Sequence, residues 1–164
     1  METRYHLQMI KTIGALWLIL SVCGTLPAAE SKKSGDTAEF KDLIRQYYAA
    51  WSSGSPENPA RLYAKDSNLV FYDVAPLKYI GWDEYKQGVQ KNLFDNMVSA
   101  TLTPKDDLVV TRRGNVAWTT VTGHLSAKMK DGKGLEADTR QTAIWEKRGG
   151  KWLIVHEHVS VPMQ

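Results

Sequence analysis

Near the end of the chain, KWLIVHEHVS (Lys151 to Ser160) sets one carboxylate, Glu157, between His156 and His158. Read as a β-strand, strict alternation puts Leu153, Val155, Glu157 and Val159 on one face. Trp152, Ile154, His156, His158 and Ser160 fall on the other. The first row has the composition of a core, so Glu157 is expected to face apolar surroundings. An unpaired carboxylate there is costly in free energy, or it takes up a proton. A carboxyl group with a raised pKa suits a general acid or base working near neutral pH. Two other readings stand beside this one. Glu157 could form an internal ion pair with Arg140 or His124, or a bulge could slip the alternation and leave it exposed.

Further candidates come from the middle of the chain. Asp73 closes the strand-like run LVFYD on the row of Leu69 and Phe71, where it could face a pocket or form the turn before VAP. Tyr47 sits on a helical apolar stripe, as a core tyrosine or as a hydroxyl donor. His156 and His158 have a His-x-His spacing that can hold a metal on one strand face, with His124 as a third ligand. The competing expectation is a pair of surface or interface histidines, and no metal or cofactor is assigned. Arg140 alternates with Thr142 and Ile144, opposite Gln141, Ala143 and Trp145, so it reads as a sheet-face ion pair as well as a pocket residue. Tyr72, Trp118 and Trp145 could line a pocket or fill the core. Ser160 lacks a glycine elbow, and no nucleophilic triad can be assembled.

These residues need elements to position them. In the 164-residue chain, residues 1–29 read as a leader: Arg4 and Lys11, the apolar run IGALWLILSV, then GTLPAA. Cleavage near Ala28 or Ala29 implies a periplasmic or secreted product. The alternatives are an anchor retained through residues 12–29 and lipidation at Cys23. Cys23 is the only cysteine, so the remaining domain has no disulfide or thiolate chemistry. Without Arg4, Lys11 and Glu2 the charge is 19 basic against 17 acidic residues, scattered along the chain, which argues against nucleic acid as partner. Residues 30–36 read as a flexible tether, and Asp36 with Glu39 as a helix start.

The spacing of Phe40, Leu43, Ile44, Tyr47 and Trp51 predicts a helix stopped by SSGS. Asn58 and Pro59 begin a short helix, NLVFYDV reads as a strand, and a second helix is expected over 83–97. ATLTP, DLVVT, NVAWTTVTGHLSAKM, GLEADTRQTAIWEK and KWLIVHEHVSV then read as strands separated by tight turns. Helices first and an antiparallel meander last predict an α+β domain over 37–164, with a curved sheet enclosing a pocket.

The segments YAAWSSGSPENPARLYAKDSNLVFYD, Gly81 and RQTAIWEKRGGKWLIVHEHVSVP resemble the SnoaL-like branch of the NTF2-like superfamily over residues 37–162. That superfamily includes ketosteroid isomerase, polyketide cyclases and the association domain of calcium/calmodulin-dependent kinase II. The resemblance implies a cone of antiparallel sheet on about three helices, usually as a homodimer. It also implies a dimer face on the outer side of the sheet, here Trp152, His156 and His158. It makes Asp73 similar to the isomerase's catalytic base and Tyr47 to its oxyanion donor. The isomerase's second acid falls near Thr142 or Ala143 and is missing. The pocket arginine of the kinase domain corresponds to Ala143. The fold hosts unrelated activities, so three functions are expected to compete. They are a pocket protein for a small, largely apolar ligand, an isomerase, cyclase or dehydratase using Asp73 or Glu157 on a carbonyl compound, and a non-catalytic dimeric interaction domain.

Overall fold

The computed structural model describes residues 28–163, with side chains from residue 35 onward. The leader, including Cys23, lies outside the described residues but for its last two. No helix among the described residues is long and apolar enough to cross a membrane.

Helix α1 spans Ala28–Trp51, so it starts earlier than expected and runs through the stretch read as a tether. Ala, Glu and Lys are good helix formers, and the single Gly35 costs only about 1 kcal/mol against alanine. Asp36 accordingly does not start the helix; its carboxylate accepts from Arg112 Nη1 at 2.5 Å. The apolar stripe of α1 lies as the spacing predicts, with Phe40, Ile44, Tyr47 and Trp51 buried. Phe40 packs against the indoles of Trp145 and Trp152, at 5.8 and 5.0 Å between ring centroids.

A 3-10 turn at Pro59–Leu62 leads to β1 (Val70–Tyr72) and a strand the sequence did not signal, β2 (Tyr79–Ile80). Helix α2 covers Gly81–Asn92 and ends short of the predicted 97. Asn96 Nδ2 donates to the carbonyls of Lys91 and Asn92, 3.2 Å each, which satisfies the last turn and releases Met97 into a strand. The meander follows as β3 (Met97–Pro104), β4 (Val109–Arg113), β5 (Val116–Met129), β6 (Gly134–Arg148) and β7 (Lys151–Ser160). The sheet order is β2-β1-β7-β6-β5-β3, and β4 also pairs with β5. The pairs are antiparallel except β1 with β7, which run parallel with Phe71 opposite Glu157.

One irregularity decides which side chains face the core. Ile144 pairs with His156, but the next β6 residue, Trp145, pairs with Ile154, so Val155 is an extra residue in β7. Simple alternation therefore fails there. Trp152 and Ile154 lie on the same buried face as Glu157, with 4%, 0% and 0% of their surfaces exposed. The bulge that could have exposed Glu157 instead leaves it inside and turns Trp152 to the same face. Trp152 is thus a core residue under α1 and not part of an outer dimer face.

The loop after β1 is held by Tyr79, whose hydroxyl donates to Ala75 O at 2.7 Å and accepts from Asn92 Nδ2 at 3.2 Å. That ring lies directly on the backbone of Gly88, where a Cβ would sit 2.0 Å from Tyr79 Cε1. Gly88→Ala is expected to destabilise the fold by about 1–3 kcal/mol, measured as a lower urea midpoint. An unchanged midpoint would show that the Tyr79 ring is free to move.

Candidate functional site

Glu157 is fully buried, and its carboxylate is the meeting point of side chains from several elements. Tyr63, just after the 3-10 turn, donates to Oε2 at 2.6 Å, and Tyr85 of α2 donates to the same oxygen at 3.2 Å. Gln141 of β6 donates to Oε1 at 2.5 Å, and the Tyr47 hydroxyl of α1 also stabilises the carboxylate. Burial pushes the Glu157 pKa up, and these four donors pull against that rise. The same burial, reinforced by the negative charge of Glu157, holds the tyrosines 47, 63 and 85 protonated well beyond the ordinary phenol range. The partners of Glu157 are therefore neutral hydroxyls and an amide. Arg140 and His124, the ion-pair partners considered from sequence, stand on the opposite face of the sheet.

Above this cluster lies a cavity of about 260 Å³ between the concave sheet and the two helices. Its wall is made by side chains such as Val89, Leu93, Leu102, Leu125, Ala137 and Val159, and its polar groups are Asp73, Tyr47, Tyr85 and Thr139. Val74, Leu135 and Val161 rim it and stay substantially exposed. Glu157 does not line the cavity; it lies behind the tyrosines, so its assignment as a pocket acid is corrected. Asp73 does line it, and both sequence readings of Asp73 hold. Its Oδ1 accepts from Val74 N at 2.7 Å, forming the turn, while Oδ2 lies 3.3 Å from Tyr85 Oη in the pocket. Burial raises the Asp73 pKa to about 7 against the pull of the Val74 N–H, and the charge of Glu157 adds to the rise.

A family model for the SnoaL-like domain matches residues 41–164. The chain belongs to the SnoaL-like domain family. No curated protein matches it in sequence. Solved structures share its fold. An NTF2-like superfamily protein from Salmonella enterica aligns with a TM-score of 0.73 at 21% identity, covering 80% of this chain and 94% of that one. A protein from Xanthomonas campestris, provisionally named a calcium/calmodulin dependent protein kinase II association domain, gives 0.67 at 22% identity, covering 85% and 94%. One from Novosphingobium aromaticivorans, provisionally named a scytalone dehydratase, gives 0.70 at 10% identity, covering 82% and 90%. Identities this low carry the NTF2-like fold and nothing finer.

Several residues chosen from sequence fall outside the pocket of this SnoaL-like domain. Trp145 is wholly buried in the core, its indole N–H bonded to Thr119 Oγ1 at 3.0 Å. Trp118 and Tyr72 are each 39% exposed on the outer face. His124 lies on that face too, between Asp138 and Glu136 at 2.9 Å each, and does not line the cavity. Arg140 is exposed and donates to Val161 O at 3.2 Å. His156 Nδ1 meets the Val70 carbonyl at 2.7 Å, and Tyr72 packs edge-on against both histidines. Sequence reasoning missed Tyr63, Tyr85 and Gln141 as polar partners. Tyr85 was visible only as part of an apolar stripe, though the inward row of Gln141 was legible.

Two outcomes follow. Asp73 keeps its proton in the folded protein well above the ordinary carboxylate range, so its contribution to stability is complete below about pH 4 and lost as pH rises to about 7. Asp73→Asn is expected to gain about 1–3 kcal/mol relative to the wild type between about pH 4 and pH 8, read from urea unfolding at each pH. A pH-independent difference would place Asp73 in water. Glu157→Gln puts an NH2 group among donors and is expected to cost about 1–3 kcal/mol at neutral pH. A higher melting temperature for that variant would mean that the buried charge is a net strain.

Proposed function

We propose that this SnoaL-like domain is an exported pocket protein that binds a small, largely apolar organic molecule. Asp73, Tyr47 and Tyr85 fix its polar end. Export rests on the leader-like sequence of residues 1–29. What carries the binding reading is the composition of the cavity, an aliphatic and aromatic wall converging on one carboxyl group and its hydroxyl neighbours. Among the described residues no lysine, arginine or histidine lines it, which disfavours anionic ligands.

A second reading is acid–base chemistry on a carbonyl compound, favoured by the Asp73 pKa of about 7 inside the cavity. In that reading Asp73 moves the proton and Tyr47 supplies a hydrogen bond to the developing oxygen charge. Glu157 does not touch the substrate.

Both readings need the cavity open. Ala137→Trp fills it from the sheet side. The variant is expected to weaken binding of a neutral apolar fluorophore, N-phenyl-1-naphthylamine, by roughly tenfold or more, at unchanged secondary structure by circular dichroism. Undiminished saturable binding would place the ligand elsewhere. Loss of turnover of a conjugated-ketone panel in Asp73→Asn, with fluorophore binding retained, would decide for catalysis over binding alone.

A further inference from the structure

A phenol carries one hydrogen, which it can donate once, while an ionised carboxylate can only accept. Tyr85 Oη stands between two carboxyl groups, 3.2 Å from Glu157 Oε2 and 3.3 Å from Asp73 Oδ2. Its hydrogen cannot serve both. If it went to Asp73 it would stabilise the Asp73 carboxylate.

The rest of the cluster decides where it goes. The indole of Trp51 can only donate, and Nε1 gives its hydrogen to Tyr63 Oη at 3.1 Å. Tyr63 therefore has its own hydrogen for Glu157 Oε2, at 2.6 Å. Gln141 Nε2, also a donor only, faces Oε1 at 2.5 Å. Everything around Glu157 is arranged for an acceptor, so Glu157 is the ionised member of the pair and Tyr85 donates to it. Asp73 Oδ2 then looks at the lone pairs of Tyr85 Oη, a contact that is favourable only if Asp73 brings a hydrogen. The other titratable groups near Asp73 are Tyr79 of β2 and Glu157 of β7, with Tyr47 of α1 across the cavity, and none of them is a cation.

We propose that Glu157 is a buried positioning anion. By taking the single hydroxyl hydrogen of Tyr85, it turns that oxygen's lone pairs toward Asp73 and keeps Asp73 neutral and proton-bearing at the pocket. The ionised acid is thus the one sealed from the ligand, and the acid that meets the ligand carries no charge below about pH 7. The pocket selects uncharged molecules over amines for that reason. The proposal deepens the pocket reading, yet its test needs no ligand and fails independently of that reading.

Site-resolved ¹³C NMR of the side-chain carboxyl groups, followed against pH, provides the test. In the wild type Glu157 is expected to lose its proton at lower pH than Asp73. Tyr85→Phe removes the acceptor for the Asp73 hydrogen, so the Asp73 midpoint is expected to fall by about one pH unit. Were Tyr85 instead a donor to Asp73, the same substitution would raise that midpoint. In Glu157→Leu no acceptor remains at that position, so the Tyr85 hydrogen is released to Asp73, the Asp73 midpoint falls, and adding Tyr85→Phe now raises it. An Asp73 midpoint that rises or stays put in Tyr85→Phe, or Glu157 titrating above Asp73 in the wild type, overturns the proposal. If Glu157→Leu does not fold, the sign of the Tyr85→Phe shift decides alone. If neither variant folds, the order of the two wild-type titrations decides.

Discussion

A carboxylate shut off from water must receive its hydrogen bonds from the protein, and Glu157 receives them from four separate parts of the chain. Tyr47 comes from α1, Tyr63 from the end of the 3-10 turn, Tyr85 from α2 and Gln141 from the neighbouring strand. Both α-helices and the end of the first 3-10 turn are thereby fastened to one point on β7. A buried polar cluster of this kind rigidifies when all its members are satisfied and is costly when one is lost. The position of α2 over the sheet, and with it the shape of the cavity, follows from that requirement as much as from apolar packing.

The same aromatic side chains serve two environments. Trp51, Tyr47 and Tyr85 present ring surface to the cavity, while Trp51 Nε1 and the tyrosine hydroxyls reach the buried polar cluster. This lets an almost wholly apolar wall sit next to a buried charge without the two meeting. Tyr63 belongs to the same cluster but stays out of the cavity, its ring tilted against Trp82 with 4.5 Å between centroids. The division leaves Asp73 as the single acidic group lining the cavity, held in place by its own turn and by Tyr85.

Much of this was legible in the sequence because it rests on periodicity. The α1 stripe, the five strands of the meander and the inward direction of Glu157 all follow from spacing. Asp73 was legible because a polar residue closing a strand on its apolar row has few places to go. The bulge at Val155 was not, since an extra residue changes the phase without changing composition, and Trp152 was assigned to the wrong face as a result. Tyr63 and Tyr85 were illegible as hydrogen-bond donors because a tyrosine in an apolar stripe shows its ring and hides its hydroxyl. Trp118, Tyr72, His124 and Arg140 were chosen by residue type, and strand parity outweighed type: their neighbours on the inward rows, Ala117, Phe71, Gly123 and Gln141, are the buried ones.

The parallel pairing of β1 with β7 has a consequence for the order of events on the ribosome. Tyr63 and the carboxylate it serves are 94 residues apart in sequence, and closing so long a loop is entropically slow. The two helices and the first strand are synthesised well before the glutamate that binds them together. Until the final strand emerges, three buried tyrosines lack their common acceptor and the domain cannot lock. Closure of the helices onto the sheet at this point therefore waits for β7 to be made.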